Sequence, residues 1–145
     1  MHLERYEYTM NESLLDYEFE SSGPKGIIKK IVRYTHLYGK VYNLAFGDLN
    51  NSTGEIIDTT TTNNNDSSKI LATVAATLHD FTLQYPDAIV LAKGSTTSRT
   101  RLYRIGITNH FSLIAPHFEI FGLKGDRWEA FKAGETYDAF LTHRK

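Results

Sequence analysis

Between residues 66 and 86 the sequence permits one element. Ile70, Leu71, Val74, Leu78, Phe81 and Tyr85 recur at intervals of three and four, which places them on one face of an α-helix as a stripe that must be buried. Ala72, Ala75 and Ala76 add helix propensity. Asp66 or Ser67 is placed to cap the first turn, and Pro86 closes the last. The residues before it supply a partner surface in β form. Leu15, Tyr17 and Phe19 alternate with Asp16, Glu18 and Glu20, the period of a half-buried strand. A turn over Ser21 to Gly26 follows, in which Gly23 and Gly26 tolerate positive φ. Ile27 to Tyr34 is a β-branched strand, Leu37 to Lys40 a connection, and Tyr42, Leu44 and Phe46 line one face of a further strand. Asp48 to Gly54 reads as a hairpin-like loop before a short strand near Glu55 to Thr59, and Thr59 to Ser68 as a polar loop within the same domain.

After the helix, Ala88 to Leu91 suits an interior strand, and a second helix is expected from about Ser98 to Ala115-Pro116. Its core side is expected to carry Leu102, Tyr103, His110, Leu113 and Ile114, with Gly106 weakening the helix or allowing close approach to the sheet. Phe118 to Leu123 and Trp128 to Phe131 form a strand pair, and Tyr137 to Leu141 a terminal strand. The expected architecture over residues 1–145 is a single α+β domain. It has an N-terminal antiparallel sheet, two helices packed on it and a C-terminal strand pair.

Composition excludes several classes. With 145 residues the chain can build one core, and 41% hydrophobic residues are ordinary for a globular protein. No apolar run reaches the roughly 20 residues of a membrane span, and no secretory leader pattern is present, so a cytoplasmic location is expected. The absence of cysteine excludes disulfides, thiolate metal sites and cysteine nucleophiles. A net charge of −1 argues against a generic polyanion binder.

Charge is nonetheless segregated. Glu4, Glu7, Glu12, Asp16, Glu18 and Glu20 precede Lys25, Lys29, Lys30, Arg33 and Lys40. Cross-strand pairing of opposite charges explains this most simply. The alternative is a basic surface on which Tyr34, Tyr38 and Tyr42 stack nucleic-acid bases.

The candidate binding segment runs from Lys93 to Arg104. Gly94 lets the backbone turn tightly, and Ser95, Thr96, Thr97 and Ser98 offer hydroxyls. Arg99, Arg101 and Arg104 add guanidinium groups whose planar fork matches carboxylate or phosphate. Backbone N–H groups at a helix N-terminus favour an anion at that place. On the helix Arg101 and Arg104 share a face while Arg99 points elsewhere. The competing reading is a capped helix whose arginines pair with acids on nearby strands. The segment lacks the spacing of a phosphate-binding Walker loop or a dinucleotide fingerprint.

Other motifs fail. Asp48-Leu49-Asn50-Asn51-Ser52 starts like a calcium loop, but Thr53 and Thr59 stand where glycine and glutamate are needed. His2, His36, His79, His110, His117 and His143 form no metal-ligand spacing, and Ser95 lacks a nucleophile elbow. No metal and no cofactor is expected.

Several strings together resemble a family of small uncharacterised bacterial proteins, a domain of unknown function. They are LERYEY near the N-terminus, YNLAFGD from Tyr42, KILATVAAT from Lys69, YPDA from Tyr85 and GSTTSRTRLY from Gly94. The resemblance covers nearly the whole chain and implies one domain; it carries no functional residues.

The leading expectation is a non-catalytic module binding an anion, either a phosphate-bearing ligand or single-stranded nucleic acid, through Lys93, Gly94, Ser95, Thr96, Ser98, Arg99, Arg101 and Arg104. The alternative is an enzyme on a phosphate substrate, such as a nuclease-like toxin, with His36, His79 or His110 beside the arginines. A further alternative is a protein-interaction subunit, or a homo-oligomer, using exposed tyrosines and an open sheet edge.

Overall fold

The computed structural model describes residues 4–13, 15–57 and 64–145. Its framework is a nine-stranded sheet in the order β1-β2-β3-β4-β6-β9-β7-β8, with β5 paired to β4. The strands are β1 (Thr9–Met10), β2 (Asp16–Gly23), β3 (Gly26–Tyr38), β4 (Val41–Leu49), β5 (Ile56–Ile57), β6 (Ile89–Ala92), β7 (Phe118–Lys124), β8 (Arg127–Ala130) and β9 (Ala139–Arg144). The helices are α1 (Ser67–Gln84), α2 (Thr97–Asn109) and α3 (Phe111–Ile114). This is the expected α+β architecture, with one difference. The C-terminal strands join the same sheet, β9 lying between β6 and β7.

Neighbouring strands pair antiparallel except β4 and β6, which run parallel from Val41↔Ile89 to Leu44↔Ala92. A parallel neighbour requires a crossover, and α1 provides it. Its stripe packs on the face formed by Tyr17, Val32, Leu44 and Val90, burying Ile70, Leu71, Val74 and Phe81. The N-terminal segment straps α1 down. The Tyr6 N–H donates to Thr73 Oγ1 at 2.9 Å, and the Tyr8 hydroxyl donates to Asp80.

Asp66 occupies the N-cap position of α1 without a side-chain cap bond. Its carboxylate instead accepts from the Tyr6 hydroxyl at 2.5 Å and from the Ser21 hydroxyl, tying strap, β2 and helix together. Of the two turn glycines only Gly26 has positive φ, at 88°. Gly23 is required for space, since a Cβ there would run into Asn64. Of the loop expected over Thr59 to Ser68, residues 59–63 lie outside the described part of the chain, and Ser67 and Ser68 already belong to α1.

The second helix is interrupted. His110 caps α2 and precedes the short α3. Tyr103 and His110 are buried as expected, Leu102 and Ile114 are half-buried, and Leu113, in α3, is exposed. Gly106 faces α1: a Cβ there would stand 3.1 Å from Leu71 Cδ2, so the close approach is helix to helix.

The segregated charges pair across the ladder. Asp16 stands opposite Arg33 with Nε 2.9 Å from Oδ1, and Glu20 stands opposite Lys29. Lys30 is buried in an ion pair with Asp48 of β4. Tyr34 is buried against α1 and Tyr42 is half-buried among Phe81 and Tyr85, which leaves Tyr38 as the exposed ring of the three.

Candidate functional site

The connection from β6 to α2 is short and tight. Thr96 adopts extended backbone at the N-cap, and its hydroxyl accepts from the Arg99 N–H at 3.2 Å. The Gly94 N–H donates to Thr100 Oγ1 at 3.1 Å, folding the loop back on the helix. The Thr96 bond satisfies one of the N–H groups that the first helical turn leaves without an intrahelical partner.

Lys93, Gly94, Ser95, Thr96, Arg101 and Arg104 line one cleft of about 750 Å³. Its opposite wall is Leu123, Gly125, Thr136, Tyr137 and Asp138, from β7 and the loop before β9. Lys93, Ser95, Thr96 and Arg101 are exposed, and Arg104 is half-buried. Among the described lining residues Asp138 is the single carboxylate, and it accepts from the Gly125 N–H at 3.2 Å. Tyr137 donates to Glu129 Oε2 at 2.9 Å and accepts from the Lys132 N–H at 3.1 Å. Burial first, then the Glu129 bond, raises its pKa, so it remains a neutral phenol near pH 7.

Arg99 and Ser98 fall elsewhere. They line a second cleft with Lys30, Phe46, Gly47 and Asp66, and Arg101 borders both. Arg99 is only 5% exposed and its guanidinium lies 5.2 Å from the Phe46 ring centroid. A Cβ at Gly47 would stand 2.7 Å from its Nη2, so the missing side chain is what admits the guanidinium. Arg99 therefore anchors α2 to β4 through cation–π contact. The divergence of Arg99 from Arg101 and Arg104 is the one that helical spacing implies. The opposite wall was missed because Tyr137 and Asp138 come from a loop far along the chain, with no local pattern to mark them.

The cleft of Arg101 and Arg104 holds no histidine among its described lining residues. His36 contacts Tyr42 and the Gly39 carbonyl, with Nε2 2.8 Å from the oxygen. His79 and His110 line a separate pocket with His117. Among the described residues no group of His, Asp or Glu could hold a metal ion, and no helix is long and apolar enough to cross a membrane.

Burial lowers the pKa of His110 from its ordinary 6.5. Burial, then Arg144 and His117, lowers that of His79. Below pH 6.5 the unfolded chain therefore binds protons that the folded chain resists, so stability is present above that pH and falls as pH drops through it. Urea unfolding at pH 7.5 and 5.5 is expected to show lower stability at 5.5, and His110→Gln is expected to flatten the difference. An unchanged slope would mean that His110 does not titrate differently on folding.

A family model described as a family of unknown function, DUF6934, matches residues 2–145. No curated protein and no solved structure matches the chain.

Proposed function

Because this chain belongs to the DUF6934 family of unknown function, its activity has to be read from its own residues, and we propose that it is a non-catalytic module binding a phosphate-bearing ligand in the Lys93–Arg104 cleft. One observation carries this reading. Lys93, Arg101 and Arg104 converge with the hydroxyls of the Thr96-capped helix end in one cleft whose described lining includes a single, already engaged carboxylate. Helix-end polarity and guanidinium geometry both favour an anion there. The neutral Tyr137 and the absence of histidine from the described lining support binding without proton transfer. A cytoplasmic location, where phosphate esters and RNA are abundant, belongs to the same proposal.

The test is fluorescence anisotropy of labelled mixed-sequence single-stranded RNA and DNA across a salt series, with inorganic pyrophosphate as competitor. Replacing Arg101 and Arg104 together by Ala is expected to weaken binding at least tenfold. It should also reduce the salt slope by about 1.4, roughly 0.7 for each lost phosphate contact on a single strand. Competition by pyrophosphate without strand binding would assign a small anion. An unchanged affinity and slope for every anion would overturn the reading.

A further inference from the structure

His110 is 4% exposed, and neither of its ring nitrogens has a hydrogen-bond partner among the described residues. Burying a polar group in this way is costly unless something else engages it. The ring lies at the break between α2 and α3 and lines a pocket of about 280 Å³. His79 of α1, His117 from the turn before β7 and Arg5 of the N-terminal strap line the same pocket. Four separate parts of the chain thus bring imidazoles and a guanidinium together, and no carboxylate is among the described lining residues.

The state of one imidazole follows from its neighbour. Arg144 Nη2 lies 3.4 Å from His79 Nδ1. A guanidinium can only donate, so Nδ1 accepts and the ring proton sits on Nε2. Burial first, then Arg144 and His117, lowers its pKa against the opposing Asp80, so this ring is neutral at pH 7. The rest of the wall is apolar, including Ala72, Ala76, Leu113 and Phe118.

This pocket adjoins an apolar hollow. Ala75 and Ile114 line both it and a cavity of about 80 Å³ between the helices and the sheet, walled by Leu71, Val74, Leu78 and Phe140. A positive, hydrogen-bonding mouth beside a narrow hydrocarbon space matches one ligand shape, an anionic head on a short aliphatic tail.

We propose that the two spaces together bind a small aliphatic carboxylate, its head against Arg5, His110 and the neighbouring imidazoles and its tail in the apolar hollow. This site lies apart from the Lys93–Arg104 cleft and does not depend on it.

The test uses the purified full chain, titrated with acetate, butyrate and hexanoate while histidine ring resonances are followed by NMR. Hexanoate is expected to saturate one site per chain and to shift the His110 ring signals. Affinity should rise about fourfold per added methylene that enters the hollow. Arg5→Gln, at an exposed position, is expected to weaken hexanoate at least fivefold with only a small drop in melting midpoint from the lost contact with the Tyr8 ring, and His110→Phe should weaken it similarly. Hexylammonium should leave the His110 signals unmoved. The proposal is overturned if hexanoate gives no saturable shift, if acetate and hexanoate bind alike, if hexylammonium matches hexanoate, or if Arg5→Gln binds as tightly as the parent chain.

Discussion

Replacing Phe81 by Ala is expected to lower the unfolding free energy by about 3–5 kcal/mol, the range for truncating a fully buried ring. Phe81 is 0% exposed and stacks face to face on Tyr34, with centroids 4.0 Å apart and planes 3° from parallel. Tyr42 meets it edge-on at 5.2 Å and Tyr85 tilts against it at 5.1 Å. These neighbours cannot readily close the gap. Tyr34 is held by its hydroxyl, 3.0 Å from Thr77 Oγ1, and Tyr17 packs edge-on against its ring.

Burial pushes the Tyr17 phenol up to about 12 and raises Tyr34 well above its ordinary value, so the cluster stays uncharged across the physiological range. Phe81→Leu keeps most of the apolar volume and loses the ring stacking, and should cost about 1–2 kcal/mol. Urea denaturation with an unchanged m-value measures both. A cost below about 1 kcal/mol for the alanine variant would show that the rings repack and that the stack is not rigid.

The elements that sequence made legible are those whose signal is local. The stripe from Ile70 to Tyr85 predicts α1, and the alternation around Tyr17 and Phe19 predicts β2, because each period reports which face is buried. The opposite charges of β2 and β3 are legible for the same reason, since a short turn fixes their register. Partnerships between distant segments are not legible. Asp66 looks like a helix cap, yet Tyr6 and Ser21 claim its carboxylate. The place of β9 between β6 and β7 is settled by packing that no local pattern encodes.

The same division runs through the candidate site. Helical spacing separates Arg99 from Arg101 and Arg104, but only the fold shows that Arg99 is buried on Phe46 beside Gly47. Sequence spacing puts His110 on the core side of the second helix but names no neighbour for it. Its meeting with His79, His117 and Arg5 in one pocket appears only when the strap, α1, α2 and the turn before β7 are assembled.

Gly94→Ala should damage stability and anion binding together, through space and not through backbone angle. Gly94 is not among the glycines with positive φ. A Cβ there would lie 2.6 Å from the Arg99 carbonyl carbon and closer still to Arg99 Cβ and Thr100 N, which are parts of the first turn of α2. That turn has little freedom to retreat. Arg99 is held over Phe46, and the Tyr103 hydroxyl donates to the Leu44 carbonyl at 3.1 Å, so two points along the helix are tied to β4.

The added methyl therefore forces the loop outward, strains the Gly94 N–H bond to Thr100 and moves Lys93 and Ser95 away from Arg101. A cost of about 2–3 kcal/mol is expected, toward the upper part of the overpacking range. Any strand or pyrophosphate binding of the cleft should weaken at least as much as in the double arginine variant.

Gly125→Ala supplies the contrast. Gly125 has φ of 65° with nothing near its would-be Cβ, so that variant carries backbone strain alone, about 1–2 kcal/mol. Unfolding curves and anisotropy on the two variants separate the causes. If Gly94→Ala proves as mild as Gly125→Ala and binds normally, the helix end yields to the methyl. The cleft would then owe its anion affinity to mobile side chains and not to a preformed turn.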